Sequence, residues 1–274
     1  MKLNIRLPED RGWVYEQFNY PAGELQVRIQ PDKIKQLCES TEVSVTANIR
    51  RSEDLIALCL LTDALRETLQ GRSDMELVLP YLPYARADRR FVDGDCYALK
   101  VFGQIIDGLA YSQVVTLDAH SPHAKKCIAN LVDVSPLPLI NEVISRIDPR
   151  TVILLPDEGA ARYGLKGALQ CTKHRDSKTG KLSGFSVPSR EKFGEAHNVL
   201  IVDDICDGGG TFLGIAEKLE DYGLDLYLYV SHGIFSKGTD ELRERFNWIF
   251  TSDSFLAQHK SVSYMPWRNS GKGL

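Results

Sequence analysis

The sequence predicts an α/β protein: two linked domains, each a mostly parallel sheet flanked by helices. Short, continuous, β-branched apolar runs alternate with longer segments of helical periodicity along the whole chain. Several of those runs end directly in acidic residues. The chain has 274 residues, long for one compact core and short for three.

The strand candidates are "LQVRI" (25–29), "VSVTANI" (43–49), "ELVLP" (76–80), "QVVTL" (113–117), "TVILL" (151–155), "NVLIV" (198–202), "DLYLYVS" (225–231) and "NWIFT" (247–251). Unbroken apolar character suits strands covered on both faces of a parallel sheet. Between them lie amphipathic helices. Leu55, Leu58, Thr62, Leu65 and Leu69 share one face, as do Leu99, Phe102, Ile106 and Leu109, and later Phe212, Ile215, Leu219 and Tyr222. The segment "SPLPLINE" (135–142) carries two prolines and little periodicity, so domains of 1–138 and 139–274 are expected. The polar, basic stretch "CTKHRDSKTGKLSG" (171–184) reads as a mobile loop.

Composition narrows the function. Hydrophobic residues make up 43% and charged residues 26%, ordinary for a soluble globular protein. A net charge of −4 gives no basic footprint for nucleic acid or a membrane surface. No apolar run approaches the roughly 20 residues of a membrane span. The start, "MKLNIRLPEDRGW", has no signal-peptide core. Six scattered cysteines without a CxxC pair fit reduced thiols in the cytoplasm.

Ligands of open parallel sheets sit at the carboxyl ends of strands. There the sequence places Asp118 and His120, Asp157 and Glu158, Asp203 and Asp204, and Asp253. A single aspartate after a strand is ordinarily a turn or cap residue. The stretch "VLIVDDICDGGGTFLGIAEKL" (199–219) is more specific. Gly208, Gly209 and Gly210 let the backbone turn amides toward an anion, Thr211 adds a hydroxyl, and a helix N-terminus follows. The spacing matches neither GxxxxGK[ST] nor GxGxxG. Carboxylates cannot hold a phosphate directly, but they accept hydrogen bonds from sugar hydroxyls or bind magnesium through water. Together these parts describe a site for a ribose 5-phosphate group.

That stretch resembles the PRPP-binding loop of type I phosphoribosyltransferase folds. Other segments resemble ribose-phosphate pyrophosphokinases, in family order over roughly residues 20 to 255: "VLPYLPYARADRR" (78–90), "TLDAHSPH" (116–123), "LPDEGAARY" (155–163), "TKHR" (172–175), "VSHGIFSKG" (230–238) and "TSDSF" (251–255). The resemblance implies two tandem phosphoribosyltransferase-type domains and magnesium-dependent transfer of the β,γ-diphosphate of ATP to the C1 hydroxyl of ribose 5-phosphate. It assigns ribose 5-phosphate to Asp203, Asp204, Asp207, Gly208, Gly209, Gly210 and Thr211, and ATP to Arg86, Asp88, Arg89 and His120. It assigns magnesium to His120 and Asp157, and catalysis to Lys173, Arg175 and His120. It further implies a homo-oligomer that feeds nucleotide biosynthesis.

The chain departs from the family pattern at Gly208 (commonly Thr), Ala87 (commonly Gln), Ala160 (commonly Gly) and Ala119 (commonly Leu), and it is shorter than the usual member. Two other readings stand beside the synthetase. One is a non-catalytic subunit related to it, which the retention of Lys173 and Arg175 argues against. The other is a phosphoribosyltransferase that consumes PRPP, which has no need of the 78–90 motif. His232 either lines the site or makes a structural hydrogen bond. His123 reads as surface, Lys100 as solvent-facing, and Cys206 as having no catalytic role.

Overall fold

The computed structural model describes residues 2–7, 10–175, 182–255 and 262–267. The chain divides into two compact units, Met1–Val134 and Ser135–Leu274. The division falls at the head of the proline-containing segment rather than after Pro138.

Unit 1 contains β1 (Lys2–Leu7), β2 (Tyr15–Asn19), β3 (Leu25–Ile29), α1 (Pro31–Cys38), β4 (Glu42–Ala47) and α2 (Ser52–Leu69). It continues with β5 (Asp74–Leu79), α3 (Ala98–Gly108), β6 (Gln113–Leu117), α4 (Ala124–Cys127) and β7 (Leu131–Val134). The main sheet has the order β1-β4-β5-β6-β7, with every pairing parallel. The strands β2 and β3 form a separate antiparallel hairpin. Alternate side chains of the central strands, among them Val43, Val45, Leu77 and Leu79, meet one buried face of α2 through Leu58, Leu61, Leu65 and Leu69. Thr62 on that face is satisfied by the Leu58 carbonyl and the Tyr111 hydroxyl, both at 2.7 Å.

Unit 2 contains α5 (Leu137–Arg146), β8 (Thr151–Leu155), β9 (Leu169–Gln170), β10 (Thr172–Arg175), β11 (Leu182–Ser186) and β12 (Asn198–Cys206). It continues with α6 (Gly210–Leu219), β13 (Asp225–Gly233), α7 (Asp240–Arg245), β14 (Trp248–Ser252) and β15 (Val262–Met265). Its sheet is also wholly parallel, in the order β15-β14-β13-β12-β8-β9. Val199 and Ile201 of β12 pack with Leu228, Val230 and Ile249 under Phe212, Ile215 and Leu219 of α6. Burying one such side chain contributes about 1.5–3 kcal/mol.

The basic stretch expected as a mobile loop has arms in strand conformation. Thr172–Arg175 and Leu182–Ser186 pair as an antiparallel hairpin, with the backbone of Lys173 in register with that of Phe185. Backbone hydrogen bonding forms this ladder regardless of the polar composition that suggested a loop. Residues 176–181 lie outside the described residues.

Gly103 shows how tightly unit 1 is packed. A Cβ added there would lie 2.0 Å from the carbonyl oxygen of Cys127, at the end of α4. Backbone on one side and backbone on the other leave no flexible group to yield. Gly103→Ala is expected to lower stability by about 1–3 kcal/mol. Urea unfolding checks this, and an unchanged midpoint would mean that α4 shifts without cost.

Candidate functional site

Because both sheets are parallel, the segments after β5 and β6 leave unit 1 on one edge, and those after β8, β12, β13 and β14 leave unit 2 on one edge. The acids singled out in the sequence lie on these edges.

In unit 1, the segment after β5 is pinned by its apolar residues. Leu82 and Ala85 are buried, and the Leu99 amide donates to the Ala87 carbonyl at 3.2 Å. Arg86 and Arg89 therefore point outward while Asp88 points inward, with 6% exposure. The Asp88 carboxylate accepts hydrogen bonds from Arg89 Nε at 2.7 Å, Arg89 Nη2 at 2.9 Å and the Ser121 hydroxyl at 2.5 Å. Ser121 belongs to the segment after β6, so this carboxylate ties the 78–90 and 116–123 motifs together. The Arg89 guanidinium holds Asp88 down to about 2; burial pushes the other way, and Ser121 assists Arg89. Arg89 also lies 6.0 Å from the centre of the Phe91 ring. Asp88 is thus occupied in positioning Arg89.

After β6, Asp118 is buried and its backbone is left-handed, with φ 43°. Its amide donates to Val134, and the next amide, of Ala119, donates to the Asp133 carboxylate at 2.9 Å. This turn delivers His120 half-buried at the edge. His123, also half-buried, donates its amide to the Ser121 hydroxyl at 3.0 Å and leads into α4. Lys100 is exposed on α3.

In unit 2, Asp203 and Asp204 close the apolar run of β12. Asp203 Oδ1 accepts the amide of Asp204 at 2.9 Å. Asp204 is buried and accepts from Arg162 Nη2 at 3.0 Å. Arg162, in the turn after β8, lies over the ring of Tyr163 at 4.9 Å. Asp207 Oδ1 accepts from the Ser236 hydroxyl at 2.6 Å, and the Ser236 amide donates to the Asp207 carbonyl at 3.2 Å. The turn then passes through Gly208 and Gly209 into α6, whose first residues are Gly210 and Thr211. Gly209 has φ 78°, which favours glycine, and a Cβ there would press on the Leu242 side chain at 3.3 Å. The start of α6 has no side-chain cap, which leaves Thr211 and the first-turn amides at a positive helix end.

Arg162, Ser236 and Lys237 are neighbours of the acids that sequence reading missed. The methylenes of Lys237 would touch a Cβ at Gly208 at 3.4 Å, so this exposed lysine lies over the glycine turn. The family-like segments contained all three, but contact across separate loops is not visible in spacing.

Asp157 is half-buried after β8, and its Oδ1 accepts the Ala160 amide at 3.3 Å. His232 is buried, with Nδ1 2.7 Å from the Ser254 hydroxyl. That contact supports the structural alternative for this histidine. Asp253 Oδ1 accepts the Trp267 amide at 3.2 Å. Burial, followed by the charges of Asp203 and Asp207, pushes the Cys206 thiol up to about 12, opposed by a hydrogen bond from the Gly209 backbone. Lys173 and Arg175 lie on β10, while their side chains lie outside the described residues.

Among the described residues, no three His, Cys, Asp or Glu side chains converge as a ready metal cluster. Magnesium characteristically uses one or two carboxylates together with waters and substrate phosphates. The oxygen donors at the strand ends fit that chemistry. No helix among the described residues is long and apolar enough to cross a membrane.

The fold and the acid–glycine–helix junction define a phosphoribosyltransferase-type α/β protein. The fold is shared with phosphoribosylpyrophosphate synthetase from Mycobacterium smegmatis, with a TM-score of 0.75 over 96% of this chain and 94% of that one, at 16% identity. No family model matches the chain. The ribose-phosphate pyrophosphokinase of Thermococcus kodakarensis is 32% identical over 81% of this chain and 78% of its own length. That of Methanopyrus kandleri is 28% identical over 97% and 93%. The chain belongs to the ribose-phosphate pyrophosphokinase family.

The Asp88 carboxyl is expected to titrate near pH 2 in the folded chain, against about 3.9 when unfolded. A depressed value means that its stabilising contribution is complete above about pH 4 and is lost as pH falls toward 2. Carbon-13 NMR of the side chain checks this. A midpoint near 4 would show that Arg89 and Ser121 do not hold the charge.

Proposed function

We propose that the protein is a ribose-phosphate diphosphokinase, transferring the β,γ-diphosphate of ATP to the anomeric hydroxyl of ribose 5-phosphate. The oxygen of that hydroxyl forms a bond to the β-phosphorus and loses its proton. The bond between the β-phosphorus and the α–β bridging oxygen breaks, and AMP leaves. The observation that carries this reading is the junction at residues 203–211. Two carboxylates follow the apolar run of a buried strand, which leads through a glycine turn into an uncapped helix start.

In this reading, Asp203 and Asp204 accept hydrogen bonds from the ribose hydroxyls, and Arg162 orients Asp204. Asp207, Gly208, Gly209, Gly210 and Thr211 receive the 5-phosphate, with Lys237 adding positive charge above the turn. Unit 1 supplies the ATP side through Arg86 and Arg89, with Asp88 fixing Arg89, and through His120. His120 and Asp157 would hold magnesium, which when bound neutralises charge on the phosphates. Lys173 and Arg175 stabilise the charge that shifts across the transferred group. The protein would act as a homo-oligomer in the cytoplasm, and the family resemblance supports both assignments.

Phosphorus-31 NMR with ATP, ribose 5-phosphate and magnesium tests the reading. PRPP and AMP should appear together, and only when the sugar phosphate is present. Binding of ribose 5-phosphate without turnover would instead identify a non-catalytic relative. Lys173→Ala should reduce turnover by roughly 100- to 1,000-fold. Calorimetric binding of ribose 5-phosphate should be nearly unchanged in that variant, and undiminished turnover would remove Lys173 from the mechanism.

A further inference from the structure

Asp203, Asp204 and Asp207 stand beside the turn that the proposed reading gives to a phosphate. Like charges repel, so a phosphate there needs cations to balance the carboxylates. Arg162 answers Asp204 at 3.0 Å, and the glycine turn is left to another group.

Gly208 points to that group. The next residue, Gly209, has φ 78°, but the backbone at Gly208 is not left-handed. Conformation therefore gives no reason for glycine at 208. Space does. A Cβ there would stand 3.4 Å from both Cδ and Cε of Lys237 and 3.7 Å from its Cγ. The methylenes of Lys237 border the volume that a side chain at 208 would fill.

The segment of Lys237 is strapped to the same turn. The amides of Ile234 and Phe235 both donate to the Cys206 carbonyl, at 2.9 and 3.1 Å. The Ser236 amide and hydroxyl donate to Asp207, at 3.2 and 2.6 Å. Phe235 is 2% exposed and has φ 47°, a left-handed backbone that a bulky residue adopts only at a cost. The Gly238 amide donates to the Phe235 carbonyl at 2.8 Å and closes a turn around Ser236 and Lys237. The aliphatic stem of Lys237 thus lies along Gly208, and the ammonium follows one bond past Cε. Lys237 is exposed, and no carboxylate among the described residues forms an ion pair with it.

We propose that Gly208 and Lys237 act as one unit: the ammonium takes the place of the hydroxyl that the family's usual threonine at 208 would offer, so that ribose 5-phosphate is selected by the full negative charge of its phosphate. The inference rests on the ribose 5-phosphate reading of the junction. A hydroxyl offers one donor and no charge, whereas an ammonium is a point charge with three donors. Glycine at 208 gives the lysine stem room to approach.

Calorimetric titration of the full chain with ribose 5-phosphate tests the pair. Lys237→Met keeps the methylenes and removes the charge, and should weaken binding about 10- to 100-fold, the scale of one charged hydrogen bond. Raising salt from about 0.05 to about 0.5 M should weaken the wild type more than this variant, because an exposed charge is screened. ATP binding should be unchanged in the variant. Adding Gly208→Thr to Lys237→Ala, where the space has been opened, should recover about three- to tenfold of the loss, the scale of a neutral hydrogen bond. Wild-type affinity in Lys237→Met, a loss indifferent to salt, an equal loss for ATP, or no recovery in the double variant would overturn the proposal and leave the diphosphokinase reading standing. A wild-type chain that binds no ribose 5-phosphate would remove that reading and this inference together.

Discussion

In a sheet whose strands all run the same way, every strand delivers its last residue to one edge. Both large sheets of this chain are built so, and the acids of the candidate site depend on it for their placement. The apolar interiors of β5, β6, β8, β12, β13 and β14 fix direction and register through burial. Once that is fixed, residues far apart in sequence must emerge side by side. Asp88 and Ser121, or Asp204 and Arg162, meet because their strands are aligned.

The polar edges are stabilised by pairing within the protein. Asp88 takes two bonds from Arg89 and one from Ser121, and Asp204 takes one from Arg162. A buried carboxylate without such partners would bind a proton or disrupt the fold. These contacts allow charge to be stored beside apolar strands, and they also orient arginines. The same logic separates Cys206 from its neighbours. It has burial and negative charge around it, so it stays a protonated thiol among charged groups.

Legibility from sequence followed position in the sheet. Every interior strand, β4, β5 and β6 in unit 1 and β8, β12, β13 and β14 in unit 2, stood out as an apolar run. The strands at the sheet edges, β1, β7, β9 and β15, did not. An edge strand is shielded on fewer sides, so it needs less apolar sequence: β1 alternates Leu3, Ile5 and Leu7 with Lys2, Asn4 and Arg6, and β9 is only two residues long. The hairpin of β10 and β11 was hidden for a related reason, since its ladder rests on backbone bonds that composition does not reveal. At the candidate site, the acid–glycine stretch was readable because strand, turn and helix are contiguous. Arg162, Ser236 and Lys237 were not, because each reaches the stretch from another loop.

Among the described residues, five non-glycine residues have left-handed backbones, and Tyr84, Asp118 and Phe235 among them lie in segments that follow β5, β6 and β13. Such a conformation costs an ordinary residue roughly 1–2 kcal/mol, and aspartate bears it better than most. Asp118 carries that conformation while buried. Substitution at such a position is constrained from two sides. Asparagine or glycine relieves the backbone but gives up the carboxylate, while most other residues keep the strain and add a steric one. At the carboxyl edge after β6, backbone conformation and carboxylate chemistry therefore bear on one and the same residue.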